Sequence, residues 1–227
     1  SFENWKKANP DKNIEDFDFQ LNKMSLSGAL FYMVKLLDIG KTVISKMTAE
    51  QVYESAYTWA KEYDSELEEM LKNKEYSLKV FSIERGNVKP RKDISKWKEV
   101  KNAIIYMYDD KFVKLDLEYE DTKITDKNEI AKILKLYLSK YFDINHDKQT
   151  WFDNIKELAE KTGYAREVKM YKQEPEKWPG HVGDISTVIR VALTGRTNTP
   201  DMYEIIQTLG EERVKQRIEM AIKKMEK

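Results

Sequence analysis

Residues 184–227 carry three stretches of apolar residues with helical spacing, and this pattern constrains the fold more than any other feature of the sequence. The first stretch places five apolar residues on one face of a helix: Ile185, Val188, Ile189, Ala192 and Leu193. Gly195 and Gly210 stand where a helix-terminating glycine is expected, and the Thr199-Pro200 pair between them is typical of a helix start. The three stretches therefore predict a compact unit of three helices.

The predicted start of the middle helix offers groups that suit a nucleotide base. Thr199 is predicted as the N-cap and Pro200 as the first helical residue, which leaves backbone N–H groups unpaired there. Met202 and Tyr203 follow within one turn, and Arg190 is predicted on the solvent-facing side of the preceding helix. N–H donors, an aromatic ring and a cation suit base binding. Thr-Pro also starts helices that bind nothing, however, and Tyr203 could belong to the core.

The composition favours helices and restricts the chemistry. With 35% charged residues, 8 Gly and 5 Pro among 227 residues, solvated helices are expected rather than a sandwich of strands. The 40 Lys and Arg balance the 40 Asp and Glu, so nucleic-acid binding would depend on local patches. The absence of cysteine excludes disulfides and thiolate metal sites, and 2 histidines are a poor basis for zinc. No apolar run is as long as a membrane span and no signal-peptide pattern opens the chain, so a cytoplasmic location is expected.

Further helix boundaries are marked by capping residues and by glycine. Thr48 and Gln51 have the spacing of a capping box at the start of a helix. Thr125 and Asp147 are predicted to cap two later helices. Gly40 is predicted to end an early helix that begins near residue 27.

The most basic stretch is residues 85–101, where seven cations and two anions give a local charge of +5. Its cations are Arg85, Lys89, Arg91, Lys92, Lys96, Lys98 and Lys101. Such a stretch can bind phosphates, although a run of charge is more often only a solvated face. The loop 86–90 is predicted to place Arg91 directly before a helix, where the cation would be held on a structured edge.

Residues 109–129 are acidic, with eight carboxylates against four lysines. Carboxylates in a fixed pattern can bind a metal or act as acid and base, but these show no such spacing. We predict that they form a solvated connection between two helical subdomains. Residues 164–183 are predicted to form a long loop with no assigned role.

Several short runs resemble one family of enzymes. The positions that carry the resemblance near the carboxy terminus are residues 189–195, Thr199-Pro200, residues 209–213 and Arg217. They are similar to the carboxy-terminal signature of bacterial glutamyl-tRNA synthetases, which are class I aminoacyl-tRNA synthetases. Lys89-Pro90-Arg91 is similar to the first anticodon-binding subdomain of the same family. Lys23-Met24-Ser25 is similar only in part to the family's ATP-binding Lys-Met-Ser-Lys-Ser loop, and we interpret it as unrelated.

The resemblance implies roles for individual residues. Arg91 falls on the position that reads the last anticodon base in the family, and an arginine suits that task because its rigid fork can pair with base edges. The residues implied to contact the anticodon loop are Arg91, Arg190, Thr199, Pro200, Met202 and Tyr203. Further candidates for contacts with the tRNA backbone are Arg85, Lys89, Lys92 and Lys156.

Periodicity and resemblance together predict an all-α fold of two packed helical subdomains, a helical-cage anticodon-binding region. Residues 1–45 are expected to be a remnant of an upstream region that contacts the tRNA stem. Residues 46–124 are expected to form the first anticodon-binding subdomain and residues 125–227 the second.

The function implied by the resemblance is binding of the tRNA for glutamate. The parent enzyme would attach glutamate to that tRNA with ATP and Mg²⁺, and its catalytic domain would lie elsewhere in the same chain. This part is expected to be non-catalytic, to need no cofactor, and to bind neither a membrane nor DNA. The alternative is a helical protein–protein interaction module, which the zero net charge and the amphipathic residues 211–227 also suit. Removing the charge of Arg91 or Arg190 should weaken RNA binding but scarcely affect apolar docking.

Overall fold

The computed structural model describes residues 2–18, 20, 32–88 and 90–227 and confirms the all-α prediction. Within these residues no strand forms, and the only β-type pairing is an isolated bridge between Ala165 and His181. The early helices are α1 (Phe2–Ala8), α2 (Met33–Lys46), α3 (Ala49–Tyr63), α4 (Ser65–Leu71), α5 (Lys74–Ser82), α6 (Val100–Ile104) and α7 (Asp109–Phe112). The later helices are α8 (Lys127–Leu136), α9 (Lys148–Lys161), α10 (Val168–Gln173), α11 (Val182–Thr194), α12 (Met202–Leu209) and α13 (Glu211–Met225).

The chain divides into two compact units, Ser1–Leu36 and Leu37–Lys227. In the second unit α13 packs against α8, α11 and α12, while α3 packs against α4 and α5. One continuous core of buried side chains includes residues from both sides of position 125. The proposed division into subdomains at that position stays a prediction. None of the helices in the described part of the chain has the length and apolar character needed to cross a membrane.

The three-helix unit predicted at the carboxy terminus is confirmed, as are several of the predicted helix ends. Thr48 and Gln51 form a reciprocal capping box, with hydrogen bonds of 3.2 and 2.9 Å. Asp147 caps α9 by accepting a hydrogen bond of 2.8 Å from the Thr150 N–H. Gly195 ends α11 in the left-handed conformation, with φ at 66°, which favours glycine over residues with a Cβ.

The predicted caps at Thr125 and Thr199 are wrong by one and two residues. Asp126 caps α8, and Asp201 caps α12 by accepting a hydrogen bond of 3.0 Å from the Glu204 N–H. A carboxylate also interacts favourably with the positive end of the helix dipole, which a hydroxyl does not. Pro200 therefore lies before the cap rather than in the first turn.

Gly40 does not end α2, which runs through it to Lys46. The backbone of Ser95 passes so close that a Cβ on residue 40 would lie 2.4 Å from the Ser95 carbonyl oxygen. The glycine is thus needed for the contact between α2 and the segment after Arg91. The predicted start of this helix near residue 27, like Lys23-Met24-Ser25, lies outside the described residues.

The acidic stretch 109–129 is solvated along its carboxylates, which lie on exposed residues except for Glu129, but several of its apolar side chains are not. Leu117, Tyr119 and Ile124 are buried, and Asp109 forms an ion pair of 2.6 Å with the guanidinium group of Arg217. These residues belong to the core and to its edge.

Two other local predictions are also wrong. Residues 164–183 contain α10, and their ends are joined by the bridge between Ala165 and His181. Arg91 does not stand directly before a helix, because the next helical turn is the short 3₁₀ segment Trp97–Glu99.

We predict that Gly40→Ala lowers the free energy of unfolding by about 1–3 kcal/mol, because the added methyl group overpacks the contact with Ser95. Helix propensity alone would give the opposite sign, since alanine is favoured over glycine within a helix. Urea unfolding measures the change. The matched control is Asp38→Ala on an exposed position of the same helix, where we expect a change within about 0.5 kcal/mol. An unchanged or raised stability for Gly40→Ala would contradict the prediction.

Candidate nucleic-acid interface

Three arginines from separate parts of the chain converge on Tyr106. We call Arg91, Arg190 and Arg196 the arginine cluster. Tyr106 is 2% exposed, and its burial raises the pKa of its hydroxyl to about 12, an effect that the charges of all three arginines oppose. The tyrosine is therefore neutral at physiological pH, and Arg91 and Arg196 line one groove with its uncharged aromatic ring.

Arg91 is held by the loop that precedes α12. Its Nη1 donates a hydrogen bond of 2.8 Å to the Thr199 carbonyl oxygen, and its Nη2 donates one of 3.2 Å to the Asn198 side chain. Its Nε donates to the carboxylate of Asp93. A guanidinium group carries five N–H bonds, so two remain for a ligand beyond these three contacts. The Arg91 side chain is 31% exposed, which leaves it accessible.

Arg190 is half-buried rather than solvent-facing as predicted from the helix pattern. Its Nε atom is buried and has no hydrogen-bond partner among the described residues. Burial lowers the pKa of its guanidinium group, and the nearby charge of Arg91 lowers it further. Two neighbouring cations favour the approach of an anion or a base-edge acceptor.

Arg196 belongs to the same surface, although the sequence reasoning did not select it. Its Nη2 donates to the carbonyl oxygen of Asn102 and, at 3.0 Å, to the side-chain oxygen of the same residue. Its guanidinium carbon lies 5.2 Å from the centre of the Tyr106 ring. The sequence feature that could have pointed to Arg196 is its position directly after the helix-ending Gly195, because the turn fixes the place from which the side chain extends.

Of the other predicted anticodon contacts, Pro200 lies on this surface, in the groove lined by Arg91, Tyr106 and Arg196. Thr199 is 4% exposed and supplies its carbonyl oxygen to Arg91, while its hydroxyl lies 3.6 Å from the Met202 sulfur. Met202 is itself 4% exposed. The side chains of Thr199 and Met202 therefore pack inside the loop, where they are not accessible to a ligand.

Tyr203 is half-buried against α9. Its hydroxyl donates a hydrogen bond of 3.0 Å to the His146 carbonyl oxygen, and its ring centre lies 6.2 Å from that of Trp151. Its partners are thus on a different side of α12 from those of Met202, and no described contact joins it to the arginine cluster.

Arg85, a predicted contact to the tRNA backbone, uses three of its five N–H bonds within the protein. It is half-buried and donates to the carbonyl oxygens of Ile44 at 2.8 Å, Met47 at 3.0 Å and Phe81 at 2.8 Å. Burial lowers the pKa of its guanidinium group. These contacts join α5 to the end of α2, so the side chain has a structural role.

The predicted lysine contacts differ in accessibility. Lys92 is exposed, with its ammonium group 2.9 Å from the Thr42 hydroxyl. Lys156 forms an ion pair of 3.0 Å with Asp153 and has a side chain only 20% exposed. Lys89 lies outside the described residues.

Among the described residues, no group of acidic, histidine or cysteine side chains is arranged to hold a metal ion.

Comparisons with known proteins identify the class of this fold. Residues 180–222, which contain most of α11 to α13, match the family model described as Anticodon binding domain. The described residues are all-helical and carry this match, so the chain contains an anticodon-binding domain.

Curated relatives identify the family. The chain is 46% identical over 220 residues to the glutamate–tRNA ligase of Acetivibrio thermocellus and 45% identical to that of Clostridium perfringens strain 13; each match covers 96% of this chain. A 40% identical relative of the same name comes from Sorangium cellulosum. The chain belongs to the glutamate–tRNA ligase family, and it spans about 40% of the length of these relatives.

We predict that Arg85→Ala lowers the free energy of unfolding by about 2–3 kcal/mol, because three main-chain carbonyl groups lose a charged donor. Thermal or urea unfolding measures the loss. Lys92→Ala is the matched control, since it removes a charge from the same basic stretch but only one exposed hydrogen bond. It should change stability by less than about 0.5 kcal/mol. Equal effects of the two variants would contradict a structural role for Arg85.

Proposed function

We propose that this chain binds the anticodon stem-loop of the tRNA for glutamate at the arginine cluster. The observation that carries the proposal is the groove in which Arg91 and Arg196 lie with the buried Tyr106, with two N–H bonds of Arg91 still free. RNA loops are recognised by such combinations, because splayed bases can stack on planar groups and accept hydrogen bonds at their edges.

In this proposal Arg91 reads the last anticodon base. The hydrogen bonds that Arg91 donates to Thr199 and Asn198 fix the plane of its guanidinium group. The two remaining N–H bonds would form a fork for the acceptors on one base edge. Asp93 lies against the same guanidinium group and disfavours any ligand that is anionic at this point. Arg91 and Asp93 together would thus favour an uncharged base edge whose hydrogen-bond acceptors lie in the correct position.

Phosphate groups of the RNA would be bound by exposed cations around the arginine cluster and not attracted by the net charge of the chain. The chain has no net charge, so attraction to RNA is local. Lys92 is the exposed candidate next to Arg91. Arg85 is not used in this way in the proposal, because it is half-buried and three of its N–H bonds hold main-chain carbonyl groups.

For the whole protein we propose the activity named for its relatives, attachment of glutamate to tRNA with ATP and Mg²⁺. The catalytic part would correspond to the portion of the relatives, about 60% of their length, that this chain does not match. The chain itself would supply tRNA recognition and need no cofactor of its own. A cytoplasmic location accords with this function.

The first prediction of this proposal concerns base selectivity. The chain should bind tRNA for glutamate more tightly than the same tRNA altered only in its last anticodon base, by about 1–3 kcal/mol. Arg91→Gln should abolish that preference. Arg91→Lys should also abolish it while retaining the charge, because an ammonium group lacks the planar fork. Filter binding or fluorescence anisotropy at two salt concentrations measures the affinities.

Lys92→Ala is the matched control for this titration. It should weaken binding to both tRNAs equally and reduce the salt dependence, as expected for one lost phosphate contact. Equal, salt-sensitive binding of the wild type to both tRNAs would leave only a phosphate-binding surface. If the chain bound neither tRNA, the result would contradict the proposal and favour the protein-interaction alternative.

A second prediction concerns catalysis. The isolated chain should show no glutamate-dependent exchange between ATP and pyrophosphate, whether or not tRNA is present. The assay monitors incorporation of labelled pyrophosphate into ATP, with a complete glutamate–tRNA ligase as the positive control. Exchange above background would overturn the assignment of this chain to recognition alone.

A further inference from the structure

Arg217 of α13 is a cation buried behind the candidate RNA surface. It is 2% exposed, and its guanidinium carbon lies 3.9 Å from the centre of the Phe112 ring. Its Nη1 donates to the carbonyl oxygens of Tyr106 at 2.7 Å and Leu193 at 2.8 Å. Its Nη2 donates to the carboxylate of Asp109 at 2.6 Å. One side chain thus joins two other segments of the chain, residues 106–112 and the end of α11.

The two carbonyl groups lie behind the two sides of the arginine cluster. Tyr106 carries the ring beside which Arg196 lies. Leu193 is the penultimate residue of α11, so it directly precedes the turn into residues 196–200, the loop that holds Arg91. A single nitrogen atom of Arg217 therefore links the backbone beneath the ring to the backbone that anchors the loop.

We propose that Arg217 is a positioning residue for tRNA recognition. It touches no RNA, but it sets the separation between the Tyr106 ring and the loop 196–200, and so fixes the place from which Arg91 reads its base. This inference rests on the proposed function of the arginine cluster.

The geometry requires an arginine. The planar guanidinium group can direct both hydrogens of one nitrogen to two carbonyl groups and a hydrogen of the other nitrogen to Asp109. Burial lowers the pKa of the Arg217 guanidinium group, and the carboxylate of Asp109 opposes that effect. A lysine would keep the charge, which protects the fold, but its single ammonium group cannot hold the three acceptors in the same arrangement.

Arg213, one turn earlier on α13, provides a matched control. Its Nε donates to the Leu209 carbonyl oxygen at 2.6 Å, and its terminal nitrogens donate to the Thr208 carbonyl oxygen at 3.0 Å and the Tyr76 hydroxyl at 2.9 Å. It makes as many hydrogen bonds as Arg217 and lies 3.7 Å from the same Asp109 carboxylate, but it reaches neither Tyr106 nor Leu193. Arg213→Lys therefore disturbs the same helix without touching the backbone of the arginine cluster.

The test compares wild type, Arg217→Lys and Arg213→Lys at a temperature where circular dichroism shows all three to be folded. Each protein is titrated with tRNA for glutamate and with the tRNA altered in its last anticodon base, at two salt concentrations. The wild type should prefer the unaltered tRNA by about tenfold or more. Arg217→Lys should reduce that ratio to within about twofold and leave the salt dependence unchanged, because no phosphate contact is lost. Arg213→Lys should retain the wild-type ratio.

Amide hydrogen exchange, measured by mass spectrometry without RNA, gives an independent readout. Arg217→Lys should speed exchange in both residues 100–108 and residues 190–200, whereas Arg213→Lys should speed it mainly in residues 205–213. Retained selectivity in Arg217→Lys, or an equal loss in both variants, would overturn the positioning role. If the wild type shows no selectivity, the proposed function fails, and hydrogen exchange alone then decides whether Arg217 couples the two segments.

Discussion

The fold depends on arginine side chains that bond to main-chain carbonyl groups at the ends of helices. A helix leaves its last carbonyl groups without partners within the helix, and a chain built from many short helices has many such ends. Arg85 bonds to the carbonyl groups of Ile44 and Met47 at the end of α2, and Arg217 bonds to that of Leu193 at the end of α11. These cations join segments that are distant in sequence, so a positive charge in this chain is not by itself a sign of RNA contact.

Features set by neighbouring residues could be predicted from the sequence, and features set by distant ones could not. The capping box at Thr48 and the helix end at Gly195 depend on a few adjacent residues, and both were predicted correctly. The continuation of α2 through Gly40 depends on the backbone of Ser95, more than fifty residues away. The ion pair between Asp109 and the buried Arg217 likewise depends on a residue of the last helix.

The same distinction applies to the candidate site. Arg91 and Arg190 were selected from the sequence because a family resemblance fixed their positions, and the structure places them as neighbours. Arg196 was missed because only the folded chain brings it to the Tyr106 ring. The burial of Thr199 and Met202 was also beyond local reasoning, since a Thr-Pro pair predicts a helix start but not which side of the loop faces the core.

The balance of positive and negative charge over the whole chain has a kinetic consequence. Because cations and anions balance over the whole chain, an approaching polyanion meets no net attractive field beyond a Debye length, about 10 Å at 0.1 M salt. Matching and mismatching RNA molecules would then arrive at similar rates. Selectivity would lie in the lifetime of the complex, which is long only when the bound base satisfies the free donors of Arg91.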